Sequence, residues 1–400
     1  QQEPDKALPQ ALKHFTTART ELLTAAQKDE RRTAAGERFA VAGELAMAIL
    51  GLGGTDEQVK DGTRYRWVPE VGNGRPLRLN ERTHTVHEEL RFTMNVLQQG
   101  GADFDTKAIL TRRLTRELAR RGQPTLAMDI PAFLFTQAEQ PEAKAIVALE
   151  LYRADRESAE ARKAADELKS LLTAKGTRPN PPAASAQALW TALGTQKAPQ
   201  LFAAPSGQQV SDSTRLAYVA IDLLKPDPGQ ALALAQKPGG SLLGQLRALQ
   251  LYAEWTTDPA AALDSAISAV NLNAKGKKEA VPSAILTRLA QLAAASGRAD
   301  QAKQLADLIP DAGLKAWAKG SAIQFAATPE NKSKIDDAAL EVPSDPKELR
   351  AGHAWGRLWQ ARHNTRVEGA SATTKAIASW PTGTIHPFGL AGIALGQHDR

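Results

Sequence analysis

No cysteine occurs in the 400 residues of this chain, so disulfides, thiolate metal sites and thiol nucleophiles are excluded together. Aromatic side chains are scarce, at 5% against 42% hydrophobic residues overall. Alanine and leucine must therefore fill most of the interior, and residues of that kind favour helices over sheets. No run of about 18 apolar residues is present, so no segment is suited to span a bilayer. A net charge of +6 spread over the whole length is too dilute to point to nucleic acid as a partner. Nucleophile elbows, phosphate-cradling glycine loops and dinucleotide fingerprints are also missing from any strand-turn-helix context. No catalytic residue, metal or cofactor is expected. The chain opens on Gln1-Gln2-Glu3-Pro4-Asp5 without an initiator methionine, which reads as a mature end left by signal-peptide removal and gives an expectation of an exported, periplasmic protein.

What is present is helical periodicity. Leu8, Leu12, Phe15, Leu22 and Leu23, then Phe39, Ala42, Leu45, Ala46 and Ile49, form two apolar stripes that stop at Gly51-Leu52-Gly53-Gly54, the pattern of a helical hairpin. The next stretch is β-prone: Thr63–Val68 and Arg75–Leu79 flank Gly72-Asn73-Gly74, which predicts a small β-hairpin or extended insertion within residues 55–80. Helices are expected again over Glu81–Gln99, Asp105–Arg121 and Pro124–Gln137, and from Glu142 to Leu172 with a break near Arg153–Arg156. Pro179, Pro181, Pro182, Pro199 and Pro205 then interrupt everything but a short segment, because proline at this density cannot sit inside long helices. The expected organisation is an amino-terminal helical unit over 1–174, a proline-rich linker over 175–210 and a helical array over 211–400.

The array carries repeated start signals. Asp227-Pro228, Asp258-Pro259 and Asp345-Pro346 each place a carboxylate where it can accept orphan backbone N–H groups, beside a proline whose missing N–H costs nothing. Short Ala/Leu-rich segments meet at Ser296-Gly297-Arg298-Ala299-Asp300, as in a packed helix pair. The spacing of Leu289, Ala290, Ala293, Gly297, Ala302, Leu305, Ala306, Ile309 and Pro310 resembles the tetratricopeptide repeat, and Tyr252, Ala253, Ala262, Leu263 and Ala266 are similar to a more degenerate copy in which Thr257 replaces the usual glycine. The resemblance covers roughly residues 216–325. It implies an all-α fold of stacked antiparallel helix pairs, an α-solenoid, whose groove receives another protein or peptide. A looser similarity is to the helical solenoids of bacterial membrane-coat-like proteins.

Three groups of side chains are candidates for function. Arg112, Arg116 and Arg120 recur at i, i+4, i+8, with Arg113 and Arg121 beside them, and such a stripe suits an acidic partner or an anionic membrane surface; its bland reading is a solvated helix face with Glu117 as local partner. Tyr65 and Trp67 on the β-prone insertion are candidates for partner binding, since excursions from packed layers often carry it. His353, Trp355, Trp359, His363, Trp380 and His386 make the carboxy-terminal region the richest in aromatics; exposed, they would suit a partner, and the favoured reading is that Leu349, Trp355, Leu358 and Trp359 fill the last helical layer. His84 and His87 share a helix face but lack the order of the helical zinc-protease motif, so no metal is expected there. These features together point to a non-catalytic protein-binding or scaffolding solenoid. The competing readings are a helical toroid that cleaves polysaccharide between two acids, which the shortage of aromatic platforms opposes, and a self-associating coat-like component.

Overall fold

Among the described residues, α-helices predominate beside two short antiparallel ladders. The computed structural model describes residues 102–120, 122, 124–163, 166, 212–225, 229–237, 240–326, 334–336, 341–343, 351–380 and 385–398, with the backbone of four strands at 55–58, 65–68, 70–71 and 75–76. β1 (Thr55–Gln58) pairs antiparallel with β2 (Tyr65–Val68), and β3 (Glu70–Val71) with β4 (Arg75–Pro76). Outside those ladders every described element is an α-helix. Two compact units result: Asp103–Pro310, and Gln1–Ala102 together with Asp311–Arg400.

The 103–310 unit begins with α1 (Phe104–Arg120), α2 (Pro124–Ala127), α3 (Ile130–Leu134) and α4 (Gln140–Ala154). The single helix expected over Pro124–Gln137 is two short ones. Pro131 enters near the start of α3, where its fixed φ and lack of an N–H suit a helix start and not an interior. The break expected near Arg153–Arg156 is observed, with Asp155 in an extended conformation after α4. Lys107 Nζ donates to Glu139 Oε2 at 3.0 Å, just before α4, and Arg116 Nε donates to Glu150 Oε2 at 2.7 Å. Both pairs ascend together along the chain, so α1 and α4 run in the same direction, with α2 and α3 supplying the return path.

Beyond the proline-rich stretch lie α5 (Asp212–Leu223), α6 (Ala231–Gln236), α7 (Leu242–Trp255), α8 (Ala260–Lys275), α9 (Ser283–Ala295) and α10 (Ala299–Asp307). Consecutive helices pack on each other as α5 with α6, α7 with α8 and α9 with α10, and α7 also packs on α5 and α9. Small residues line these contacts: Ala262, Ala266, Ala290 and Ala293 are fully buried. The turn between α9 and α10 closes on Gly297, at φ +71°, a conformation that a side chain would strain. There Arg298 N–H donates to Ala293 O at 2.9 Å and Gly297 N–H to Ala294 O at 3.0 Å, satisfying carbonyls that a helix end leaves orphaned. Asp258 caps α8 as its position suggests, accepting from Ala260 N–H at 3.1 Å. For α6 the capping carboxylate is Asp222, which accepts from the N–H groups of Gln230 and Ala231 at 2.7 Å each. Asp227 and Asp345 lie outside the described residues.

The second unit is described mainly through α11 (Ala312–Ala326), α12 (Ala351–Glu368), α13 (Ala370–Ile377) and α14 (Ile385–His398). α12 packs against the other three, and residues 352–361 are buried without interruption, as befits a helix enclosed on every side. Trp355 sits at the centre, with ring centroids 5.5 Å from Trp317, 6.0 Å from Trp359 and 5.9 Å from Phe388. Indole therefore fills this core, as the sequence suggests. Gly352 packs directly on the backbone of Ala316 and Trp317, where a Cβ would collide, so α11 and α12 approach to backbone contact.

Candidate functional site

The arginine stripe of α1 is the place to begin. At helical spacing, Arg112 and Arg116 project one turn apart, and both turn inward. Arg112 is 8% exposed and its Nη1 donates to Gln250 Oε1 at 3.2 Å. Arg116 donates through Nε and Nη2 to the two carboxylate oxygens of Glu150 at 2.7 and 2.9 Å, and through Nη2 to Glu254 Oε2 at 2.7 Å. Arg113 is half-buried. Arg120 alone of the described four is solvent-exposed, held by Glu117 at 2.8 Å, and Arg121 lies outside the described residues. The expectation of one solvent-facing stripe is thus not what the fold builds from these residues. At its middle the stripe is a tie between helices.

The tie extends across the unit. Arg288 on α9 donates to Glu254 Oε1 at 2.6 Å, Trp255 Nε1 to Glu150 Oε1 at 3.0 Å, and the guanidinium of Arg153 lies 4.8 Å from the Trp255 ring centroid. Farther along, Arg247 and Asp105 form a two-point pair at 2.7 and 2.9 Å. The contacts of Asp105 with Arg247, Arg112 with Gln250 and Arg116 with Glu254 ascend together, so α1 and α7 are parallel. Burial by itself would raise the Glu254 carboxyl, but Arg116 and Arg288 on either side outweigh it and hold the group well below the usual carboxylate range. Burial opposes the charge of Arg116 too, and there Glu150 and Glu254 prevail and raise it. For Arg288 burial, reinforced by Arg113 and Arg116, pulls the value down against the pull of Glu254. A small cavity of about 10 Å³ adjoins these groups beside Arg112, Glu150 and Trp255. That is room for about one water, and the network fastens helices and fixes their register.

A roomier concavity lies elsewhere in the unit. An open groove of about 560 Å³ runs between the end of α6, the start of α7 and the outer face of α8. Leu272 stands in it at 68% exposure, the most exposed large apolar side chain among the described residues. Around Leu272 the walls carry Gln236, Gln245, Ser265, Ser268 and Asn273, groups able to donate and accept, together with the charged Asp264, Lys277 and Glu279. The floor is held firmly: Ser241 caps α7 through Gly244 N–H at 3.0 Å, and Glu279 accepts from Leu242 N–H at 2.7 Å. Asn273 exchanges two hydrogen bonds with the backbone of Glu279, at 2.9 and 2.8 Å, and so fixes the loop after α8.

Tyr65 and Trp67 fall within β2, paired across from Gln58 and Asp56; their side chains lie outside the described residues, as do His84 and His87. Among the described residues no group of three or more His, Asp or Glu is placed to hold a metal ion, and no helix is long and apolar enough to cross a membrane. The partners Glu150, Glu254, Arg288 and Gln250, and the groove residue Leu272, are not singled out by local motifs. One signal does precede the structure: Arg116 and Glu150, and again Glu254 and Arg288, are each 34 residues apart. Comparison with known proteins returns no matching family model, no matching characterised protein and no matching solved structure.

Proposed function

We propose that this chain is a non-catalytic scaffold of tetratricopeptide-like helix pairs that captures a peptide segment of another protein. The observation that carries the reading is the groove at Leu272: open, bounded by successive helices, and offering an apolar anchor among amide and hydroxyl groups suited to peptide backbone. Such a combination of one apolar contact with convergent polar groups is what peptide recognition by a helical groove needs. The repeat character is supported by the ion pairs that join helices 34 residues apart, the length of one tetratricopeptide unit. It is supported further by parallel ties between second helices, Asp258 with Arg298 and Asp264 with Gln301. In this reading the pairs stack as a solenoid and residues 55–80 form a hairpin inserted before it.

Panning a displayed random-peptide library against the full chain tests the proposal. Peptides are expected to be enriched, and their binding to be lost in Leu272→Asp while the circular dichroism spectrum is retained. Enrichment of no peptide, or of peptides indifferent to position 272, would overturn it.

A further inference from the structure

The central helix of the second unit carries a polar stripe inside a core of indole, phenyl and aliphatic side chains. His353, Arg357, Gln360 and Asn364 recur at i, i+4, i+7 and i+11, so they share one face of α12, and all four are buried. Two of them grip a single residue of the non-helical segment Lys334–Asp336. The Ile335 N–H donates to Asn364 Oδ1 at 3.1 Å, Asn364 Nδ2 donates back to Ile335 O at 3.1 Å, and Gln360 Nε2 donates to the same oxygen at 3.0 Å. Arg357 Nη1 donates to Gln360 Oε1 at 2.9 Å and stacks 4.4 Å from the Trp380 ring centroid. The arginine thereby fixes which end of the Gln360 amide faces the segment. At the end of the helix Glu368 lies 3.5 Å from Lys334 Nζ, and the Ile335 side chain is buried.

Both backbone groups of one residue are thus read by side chains of one helix, with its aliphatic side chain buried and a carboxylate for the cation before it. The contact at Asn273 has similar reciprocal geometry but spans six residues within one loop. Here the gripped residue is 29 positions from the asparagine and is recognised through its backbone, which every polypeptide offers. We infer that this face of α12 is a second peptide-binding site, held in cis by Ile335, that accepts a non-helical segment of a partner protein bearing a branched aliphatic residue preceded by lysine or arginine. The cis segment belongs to the same chain and so competes with any partner segment for these groups, which sets the threshold a partner must exceed. The site is independent of the groove at Leu272 and lies in the other unit.

The test uses the full chain and a labelled, end-blocked peptide of sequence Ser-Lys-Ile-Asp-Asp, copied from residues 333–337. Fluorescence anisotropy is expected to show binding to Ile335→Gly at least tenfold tighter than to the unaltered chain. Adding Asn364→Ala should weaken that binding at least tenfold, and a peptide with glycine in place of isoleucine should not bind. Hydrogen exchange at the Ile335 amide of the unaltered chain gives a second readout, independent of how well the variant folds: millimolar peptide should accelerate it by displacing the cis segment. A folded Ile335→Gly chain that ignores the peptide, or an exchange rate unchanged by millimolar peptide, would overturn the inference. Leu272→Asp should leave both readouts unaltered, which separates failure here from failure of the groove.

Discussion

Two interiors in this chain solve the same problem with opposite materials. Between 103 and 310, helices are joined by Arg116, Arg288, Glu150 and Glu254, buried charges that fasten α1, α4, α7 and α9. In the second unit, Trp355 of α12 packs on Trp317 of α11 and Phe388 of α14, and α11 meets the α12 backbone at Gly352. Alanine-rich faces leave few large side chains with which to specify register, so the first interior obtains specificity from directional pairs. The second interior uses most of the molecule's scarce indole, and its buried cation, Arg357, is met by the Trp380 ring and the Gln360 amide oxygen. A charged interior is sensitive to the loss of either partner, whereas an aromatic one is sensitive to volume.

The largest expected effect breaks the first interior. Glu254→Leu leaves Arg288 buried without its carboxylate and should lower stability by about 3–5 kcal/mol in urea denaturation. Replacing Glu254 and Arg288 together by leucine and methionine should restore most of that loss, since a well-packed apolar pair can match a buried ion pair. Restoration failing would mean that the network contributes more than its desolvation takes away. In the second interior Gly352→Ala should destabilise by about 1–3 kcal/mol through overpacking against α11, measured in the same way.

Acid sharpens the contrast. The Glu254 carboxyl is depressed in the folded chain, so its stabilisation is fully present above the ordinary glutamate range and is lost as pH falls through the folded value. Glu254→Gln mimics the protonated state. The gap in melting temperature between the unaltered chain and Glu254→Gln should therefore be widest above about pH 5 and narrow on acidification below about pH 4. A gap that does not change with pH would show that amide geometry, and not charge, is what the site requires.

Smaller effects come from the edges. Asp222→Ala removes the carboxylate that accepts from Gln230 and Ala231 at the start of α6 and should lower stability by about 1 kcal/mol. Arg120→Ala, at an exposed pair three residues from Glu117, should change urea stability by less than about 0.5 kcal/mol. A larger change would mean that the outer end of the arginine stripe has a role its geometry does not display.

Helices were legible in the sequence wherever apolar periodicity and punctuation agree. Gly297 ends α9 by the left-handed turn its position implies, and Asp258 caps α8 where the Asp-Pro pair places it. Legibility failed where a side chain's destination depends on a distant helix. Arg112 and Arg116 sit opposite the apolar stripe of α1, which from local pattern means solvent, yet α7 and α9 arrive to cover them. Asp222, from within the preceding helix, does at α6 what Asp227-Pro228 suggested by motif. The groove at Leu272 was invisible for a related reason: an exposed leucine means little until the helices around it define a concavity.

The bond from Arg116 to Glu254 spans 138 residues of chain, and it sets an order of events during synthesis. At about 5–20 residues per second, the arginine emerges from the ribosome roughly 7–28 s before its second carboxylate exists. Until then Arg116 has only Glu150 of its two carboxylates, and the face later covered by α7 is open to water and to other chains. A nascent protein of this design passes through a window in which its most polar helix is half finished, and codon choice between α4 and α7 becomes a control on how long that window stays open.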